Sequence, residues 1–245
     1  MAARRPNMKL YVYCLVENLD TVDVPVPGIN GAAVRLLKID EFGVLVSDGE
    51  AFPLTKESAI AHHTVVRSIL DQTTSLPFRF GSVVSEQQLR HYVATYKPAL
   101  KKSFEHVRGC VEMDLKIIWQ RSTPESDEPA ETKKQGPGTA FLQQKRRELL
   151  GDERQSPQIA ELSNLLRKDL GGVVRDEKIE IRPSQTAALA AVFHLVESAN
   201  THEYQEKVQE IRNNRPNLRI RMSGPWPPYS FANIELEFKT QFGVS

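Results

Sequence analysis

The chain has 245 residues, 40% of them apolar and 26% charged, with a formal net charge of +1. That balance fits one large or two ordinary globular domains, and it gives no global pull toward nucleic acid or an anionic membrane surface. Two cysteines, Cys14 and Cys110, are too few for a disulfide framework and fit a reducing cytosol.

Arg4 and Arg5 precede the apolar run Leu10–Val16, a weak echo of a secretory leader. The run is short, Glu17 ends it and no small-residue cleavage site follows, so it reads as a first strand instead. Leu10, Val12, Cys14 and Val16 share one face, and Tyr11, Tyr13 and Leu15 the other. Apolar residues on both faces predict a central strand. Val34–Ile39 and Phe42–Ser47 form a hairpin turning near Asp40 and Glu41. A helix follows, capped by Thr55, with His62, Val65, Val66, Ile69 and Leu70 at helical spacing. "LPFRFGSVVS" is extended and ends at a second cap, Ser85. The helix from Glu86 should bury Leu89, Tyr92, Val93, Tyr96, Leu100 and Phe104, with a kink at Pro98. "CVEMDLKIIWQ" is a strand with Val111, Met113, Leu115, Ile117 and Trp119 on one face.

Ser122–Gly138 is a polar, proline-containing linker. Beyond it, "TAFLQQKRRELL" and "PQIAELSNLLRKDL" are helical, with Ser156 and Pro157 as a fresh start. "EKIEIRP" and "TAALAAVFHLVE" are strands. The second is the longest apolar stretch of this half, and with His194 inside it no membrane insertion is expected. "THEYQEKVQEIRNN" is a helix with Tyr204, Val208 and Ile211 inward. "NLRIRMSG" and "NIELEFK" are strands, the latter guarded as an edge by Glu235, Glu237 and Lys239. Each half therefore reads roughly β, α, β, β, α, β with some reordering. That predicts an α+β, two-domain chain of ferredoxin-like-related domains, antiparallel sheets with helices packed on one face. The domains are placed at 1–110 and 111–245. The second carries the linker 122–138 and an extended C-terminal strap, 223–245.

No catalytic constellation emerges. His202–Glu206 is a near miss of the metalloprotease pattern H-E-x-x-H, with Glu206 where a zinc-ligating histidine is required. His62 and His63 diverge on a helix and cannot chelate together, and His62 reads as a packed, hydrogen-bonded core residue. Gly28–Gly31 lacks a phosphate-loop pattern, and no serine sits in a nucleophile elbow. The basic clusters at Lys145–Arg147 and at Arg212, Arg215, Arg219 and Arg221 are diluted by acids or solvated, so no nucleic-acid partner is expected. No catalytic, cofactor-binding or metal residue is assigned, and no cofactor.

Three stretches stay outside that reading. In "LPFRFGSV", Phe78 and Phe80 flank Arg79 ahead of Gly81; alternation makes the rings core and leaves Arg79 to fix the neighbouring loops. "GPGTAFLQ" at Gly136–Gln143 is a helix start. "GPWPPYSFA" holds Pro225, Trp226, Pro227, Pro228 and Tyr229. Its prolines fix φ and remove donors, so it is a polyproline-like strap. The strap should fold back over the C-terminal sheet or into the interdomain groove, or else display its aromatics to a partner.

Taken in order, these stretches resemble the gas vesicle GvpF/GvpL family. "YVYCLVE" is similar to its opening strand, and "AHHTVVRSIL" with "LPFRFGSVVSEQQL" to its helix and Leu-Pro-x-Arg-Phe-Gly signature. "GTAFL" and "SGPWPPYSFA" resemble its later signatures. The resemblance covers nearly the whole chain. It implies two ferredoxin-related domains, no catalytic activity and a cytoplasmic protein associated with gas vesicles. It also implies a chaperone-like assembly or nucleation role, with the hydrophobic shell protein GvpA and other accessory Gvp proteins as partners. Phe78, Arg79, Phe80, Gly81, Trp226, Pro227, Pro228 and Tyr229 are its interaction or structural signature residues. The competing reading is a small-molecule-binding regulatory protein with tandem ferredoxin-like domains.

Overall fold

The computed structural model describes residues 9–17, 20–49, 52–120, 156–183, 187–216, 218–232 and 234. The linker 122–138, the helix expected over 139–150 and the edge strand expected over 233–239 lie outside them, but for Ile234. Nine strands are described: β1 Lys9–Glu17, β2 Arg35–Ile39, β3 Phe42–Asp48, β4 Ser75–Pro77, β5 Val83–Ser85, β6 Cys110–Gln120, β7 Val174–Pro183, β8 Ala187–Glu197 and β9 Leu218–Trp226. The α-helices are α1 Lys56–Ser68, α2 Glu86–Val107, α3 Ser156–Leu170 and α4 Thr201–Asn214. The chain is mixed α+β with two sheets, as expected.

The residues group into two compact units. One comprises 1–112 together with 224–245, the other 113–223. The C-terminal strap therefore belongs with the N-terminal unit, not with the C-terminal domain that 111–245 assigned it to. The physical reason lies in its side chains, which find their apolar surface and their hydrogen-bond acceptor in the first unit.

In the first unit β1 is central, with both faces buried. It pairs antiparallel with β3 on one side and with both β4 and β5 on the other. β2 extends the sheet beyond β3, and their hairpin turns at Asp40, φ 52. "LPFRFGSVVS" is one extended segment in sequence but two short strands here. The first ends at Pro77, and Gly81 adopts φ +90, a left-handed conformation, in the turn that redirects the chain to the second. Helices α1 and α2 start at the expected residues. Thr55 and Ser85 each close a capping box, with Ser58 and Gln88 as their N3 partners. α2 continues through Pro98 to Val107. Tyr96, expected in the core, is 49% exposed. Its ring packs at a tilt, 4.9 Å from that of Tyr92, which alone of the two turns inward. Because β2 and β3 both precede α1, this unit departs from the regular β, α, β, β, α, β order.

The second unit keeps that order through β6, α3, β7, β8, α4 and β9. Its sheet runs β7-β8-β6-β9, the arrangement of a split βαβ domain. β7 and β8 pair antiparallel from Val174↔Val196 to Pro183↔Ala188. Leu162, Leu166 and Leu170 of α3 and Tyr204, Val208 and Ile211 of α4 bury one helical stripe each.

Candidate functional site

Adjacent histidines on α1 point about 100° apart, so His62 faces the sheet and His63 the helix flank. His62 is 2% exposed. Its Nδ1 lies 2.6 Å from the Tyr11 hydroxyl, which also accepts from the Gly81 N–H at 3.3 Å. Burial pushes the Tyr11 phenol well up, so it keeps its proton and donates it to Nδ1. Burial, with His63 second, drives His62 down to about 4, against a smaller opposing contribution from the Phe78 main chain. The imidazole is therefore neutral at pH 7 with its proton on Nε2. That atom is buried and makes no hydrogen bond of ordinary geometry among the described residues, although the Phe78 main chain is near enough to favour the charged ring.

Aromatic rings close around it. Tyr13 stacks on His62 at 5.6 Å, and Phe80 meets it edge-on at 5.9 Å. Phe52 packs on Tyr11 at 4.9 Å. The Tyr13 hydroxyl is held by the Ile29 N–H and by Ser47 Oγ, both at 3.0 Å. Gly28 is pressed against that hydroxyl, leaving no room for a side chain.

The strap completes the cluster. Tyr229 packs against His62 at 6.5 Å and stacks on His63 at 5.9 Å. Trp226 meets His63 at 5.1 Å, with the Arg67 guanidinium 4.9 Å from its ring, a cation–π geometry. Pro227 and Pro228 are buried. The Tyr229 and Phe231 N–H groups bond to the Pro227 and Pro228 carbonyls at 2.8 and 3.1 Å, so the segment turns on itself. The Ser230 N–H and hydroxyl both donate to the Glu112 carboxylate, at 2.7 and 2.9 Å. Phe231 and Ala232 are buried. The Tyr229 hydroxyl is buried and has no partner among the described residues. Burial raises its pKa far above the ordinary phenol range.

The residues singled out from sequence thus divide. Phe80, Gly81 and Tyr229 converge on the His62–Tyr11 pair, and Trp226 lies beside them on His63. Phe78 is fully buried but packs on Tyr92 of α2 at 6.4 Å. Phe80 is only partly buried. Arg79 is exposed, and its guanidinium makes no hydrogen bond among the described residues. The loop is fixed instead by the Arg79 carbonyl, which accepts from the Ser82 N–H and hydroxyl at 3.2 and 2.7 Å. Sequence reasoning missed Tyr11 and Glu112 as part of this site. An acid alternating with apolar residues along a strand has the signature of a solvated face, and nothing local marks it as buried.

The second unit holds its own buried polar chain. His194 Nδ1 lies 2.7 Å from the Tyr204 hydroxyl and its Nε2 3.1 Å from Glu177. Ser163 donates to the same carboxylate at 2.7 Å, and Arg167 lies 3.3 Å from it. Burial pushes Glu177 up, but the hydrogen bonds from His194 and Ser163 outweigh it and hold the acid below its usual range. A cavity of about 250 Å³ lies beside it, lined by Leu166, Leu170, Val174, Arg175 and others. His202 and Glu206 are exposed and 3.6 Å apart on α4. Among the described residues no three histidine, cysteine or acidic side chains gather as metal ligands, and no helix is long and apolar enough to cross a membrane.

Comparison with known proteins places this geometry. The family model described as gas vesicle synthesis protein GvpL/GvpF matches residues 9–233. Gas vesicle protein L2 of Halobacterium salinarum is 27% identical, over 91% of this chain and 90% of that one. Gas vesicle protein F1 of the same organism is 25% identical, over 96% and 97%. The crystal structure of GvpF from Anabaena sp. superposes with a TM-score of 0.71 at 21% identity, covering 93% of this chain and 97% of that one. That of GvpF from Microcystis aeruginosa gives 0.69 at 20%, covering 92% and 99%. Relatives of both the F and the L name match along nearly the whole length, and the two solved structures share the fold. The chain belongs to the gas vesicle synthesis protein GvpL/GvpF family.

Proposed function

We propose that this protein is a non-enzymatic accessory or minor structural component of gas vesicles. It binds the hydrophobic shell protein GvpA, alongside other accessory Gvp proteins, and supports nucleation and assembly of the shell. It works in the cytoplasm at the vesicle. One observation carries the reading beyond family membership: the first unit offers large apolar side chains to solvent. Leu54 and Ile60 are 66% and 55% exposed. Ile60 lies one turn before His63 on α1, and His63 meets the half-buried Trp226. Large apolar side chains exposed on a folded surface suit an apolar client. The polar side chains of the site are spent on holding the strap and the core.

The test is co-purification of the tagged chain with GvpA from cells expressing both. Capture of GvpA by the unaltered chain, and at least tenfold less by a correctly folded Leu54→Asp/Ile60→Asp variant, is expected. Equal capture by both places the client elsewhere, and no capture by either defeats the reading.

A further inference from the structure

The second unit places polar side chains where its sheet otherwise keeps apolar ones. Glu177 of β7 and His194 of β8 are directly opposed, and two residues further along the same face Ile179 opposes Val192. The Glu177 side chain is 7% exposed and that of His194 1%. Burying a carboxylate costs free energy that its partners must offset. The oxygens of Glu177 accept from Ser163 at 2.7 Å and meet His194 Nε2 at 3.1 Å. The one permanent positive charge within reach among the described residues is Arg167, whose Nε lies 3.3 Å away on a side chain 70% exposed to solvent. That is a thin counter-charge for a buried acid held in its ionised form.

The cavity of about 250 Å³ beside this acid has two kinds of wall. Leu166 and Leu170 of α3, both fully buried, and Val174 of β7 line it with hydrocarbon. Glu177, Arg167 and Arg175 line it with charge of both signs. The β7–β8 register shifts by one residue between Val174 and Asp176, which leaves Arg175 without an opposite number on β8. Such bulges re-aim a side chain and gather beside binding sites. Arg175 is also paired with Glu197 at 2.6 Å. The Arg167 guanidinium carries five donors in a planar fork, enough to meet a second carboxylate while it faces Glu177. A space of this size lies far beyond the voids that close packing leaves, and it admits only a compact molecule. A ligand with a single charge would leave one half of the charged wall unmatched. A small zwitterion with a hydrocarbon side chain matches every part of it.

We propose that this cavity of the second unit binds a free α-amino acid with an apolar side chain, its ammonium on Glu177, its carboxylate on Arg167 and its side chain against Leu166, Leu170 and Val174. Occupancy stabilises the second unit by mass action. The inference does not depend on GvpA, and its test contains none.

The probe is L-leucine, titrated into the full-length protein by isothermal titration calorimetry. Saturable binding is expected. Isoamylamine is leucine without its carboxylate, and isocaproate is leucine without its amine. Each leaves one charged contact unmade and should bind roughly tenfold more weakly, or worse. Arg167→Ala removes an exposed side chain and should abolish the preference for leucine over isoamylamine. Glu177→Gln should abolish the preference for leucine over isocaproate. If Glu177→Gln unfolds the second unit, Arg167→Ala still decides, and hydrogen exchange of the unaltered chain gives a second readout. Leucine should slow exchange at the end of α3 and the start of β7 and leave β1 and α1 unchanged. No saturable leucine binding, equal binding of leucine and its two analogues, a preference over isoamylamine that survives Arg167→Ala, or protection confined to other elements would each overturn the proposal.

Discussion

His62 illustrates how one side chain sets a pH response. Its ring is packed between Tyr13, Phe80 and Tyr229, with Tyr11 on Nδ1 and His63 beside it. Among the described residues no carboxylate is paired with it to stabilise an imidazolium. Its pKa falls from 6.5 in the unfolded chain to about 4 in the fold. Between those values the unfolded chain binds the extra proton. Stability from this residue is complete above about pH 6.5, declines as pH falls toward 4 and is then flat. The loss amounts to about 3 kcal/mol. Urea unfolding at pH 7.5 and pH 4.5 should show it, and a His62→Gln variant should show a smaller difference between the two. Tyr229 gives a second residue-scale expectation. Tyr229→Ala removes a ring from the cluster and should cost about 3 kcal/mol or more. Tyr229→Phe removes only an unpaired buried hydroxyl and should be neutral or stabilising by up to about 1 kcal/mol. A clear loss of melting temperature in Tyr229→Phe would mean that the hydroxyl has a partner.

At the scale of elements, the segment from Leu76 to Ser85 shows what sequence patterns can and cannot give. The starts of helices α1 and α2 are legible in the sequence because their caps are local: Thr55 with Ser58, and Ser85 with Gln88. The central position of β1 was legible because both its faces are apolar. The break between β4 and β5 was not. It depends on Gly81 taking a positive φ where the Tyr11 hydroxyl meets its N–H, a contact 70 residues away in sequence. The strict alternation read for Phe78, Arg79 and Phe80 fails for the same reason, because strand geometry stops at Pro77. Phe78→Ala should therefore cost about 3–5 kcal/mol. Phe80→Ala should cost less, and Arg79→Ala should stay within about 0.5 kcal/mol. Chemical denaturation of the three variants checks the ranking, and an Arg79→Ala effect as large as that of Phe78→Ala would refute it.

At the scale of the whole molecule, the strap reverses one expectation. Composition alone made it an appendage of the nearer domain, because sequence patterns report which side chains want burial but not against which distant surface. The partners that decide the matter, His63, Arg67 and Glu112, lie more than a hundred residues upstream. Deleting the chain from Gly224 onward should therefore loosen the first unit rather than the second. Hydrogen exchange should show β1 and α1 losing protection while the β7–β8 pairing keeps its own. The opposite pattern would place the strap with the second unit after all.

The bond between Glu112 and Ser230 also has a consequence for how the molecule is made. The carboxylate emerges from the ribosome long before its partner, since 118 positions separate the two. At translation speeds of 5–20 residues per second, that is a wait of roughly ten seconds. Throughout it the first unit is exposed on the nascent chain with its aromatic groove uncovered and the bonds from Ser230 to Glu112 still unmade. The second unit meanwhile completes its sheet. Synthesis order thus imposes a folding order in which the first domain to be translated is the last to close.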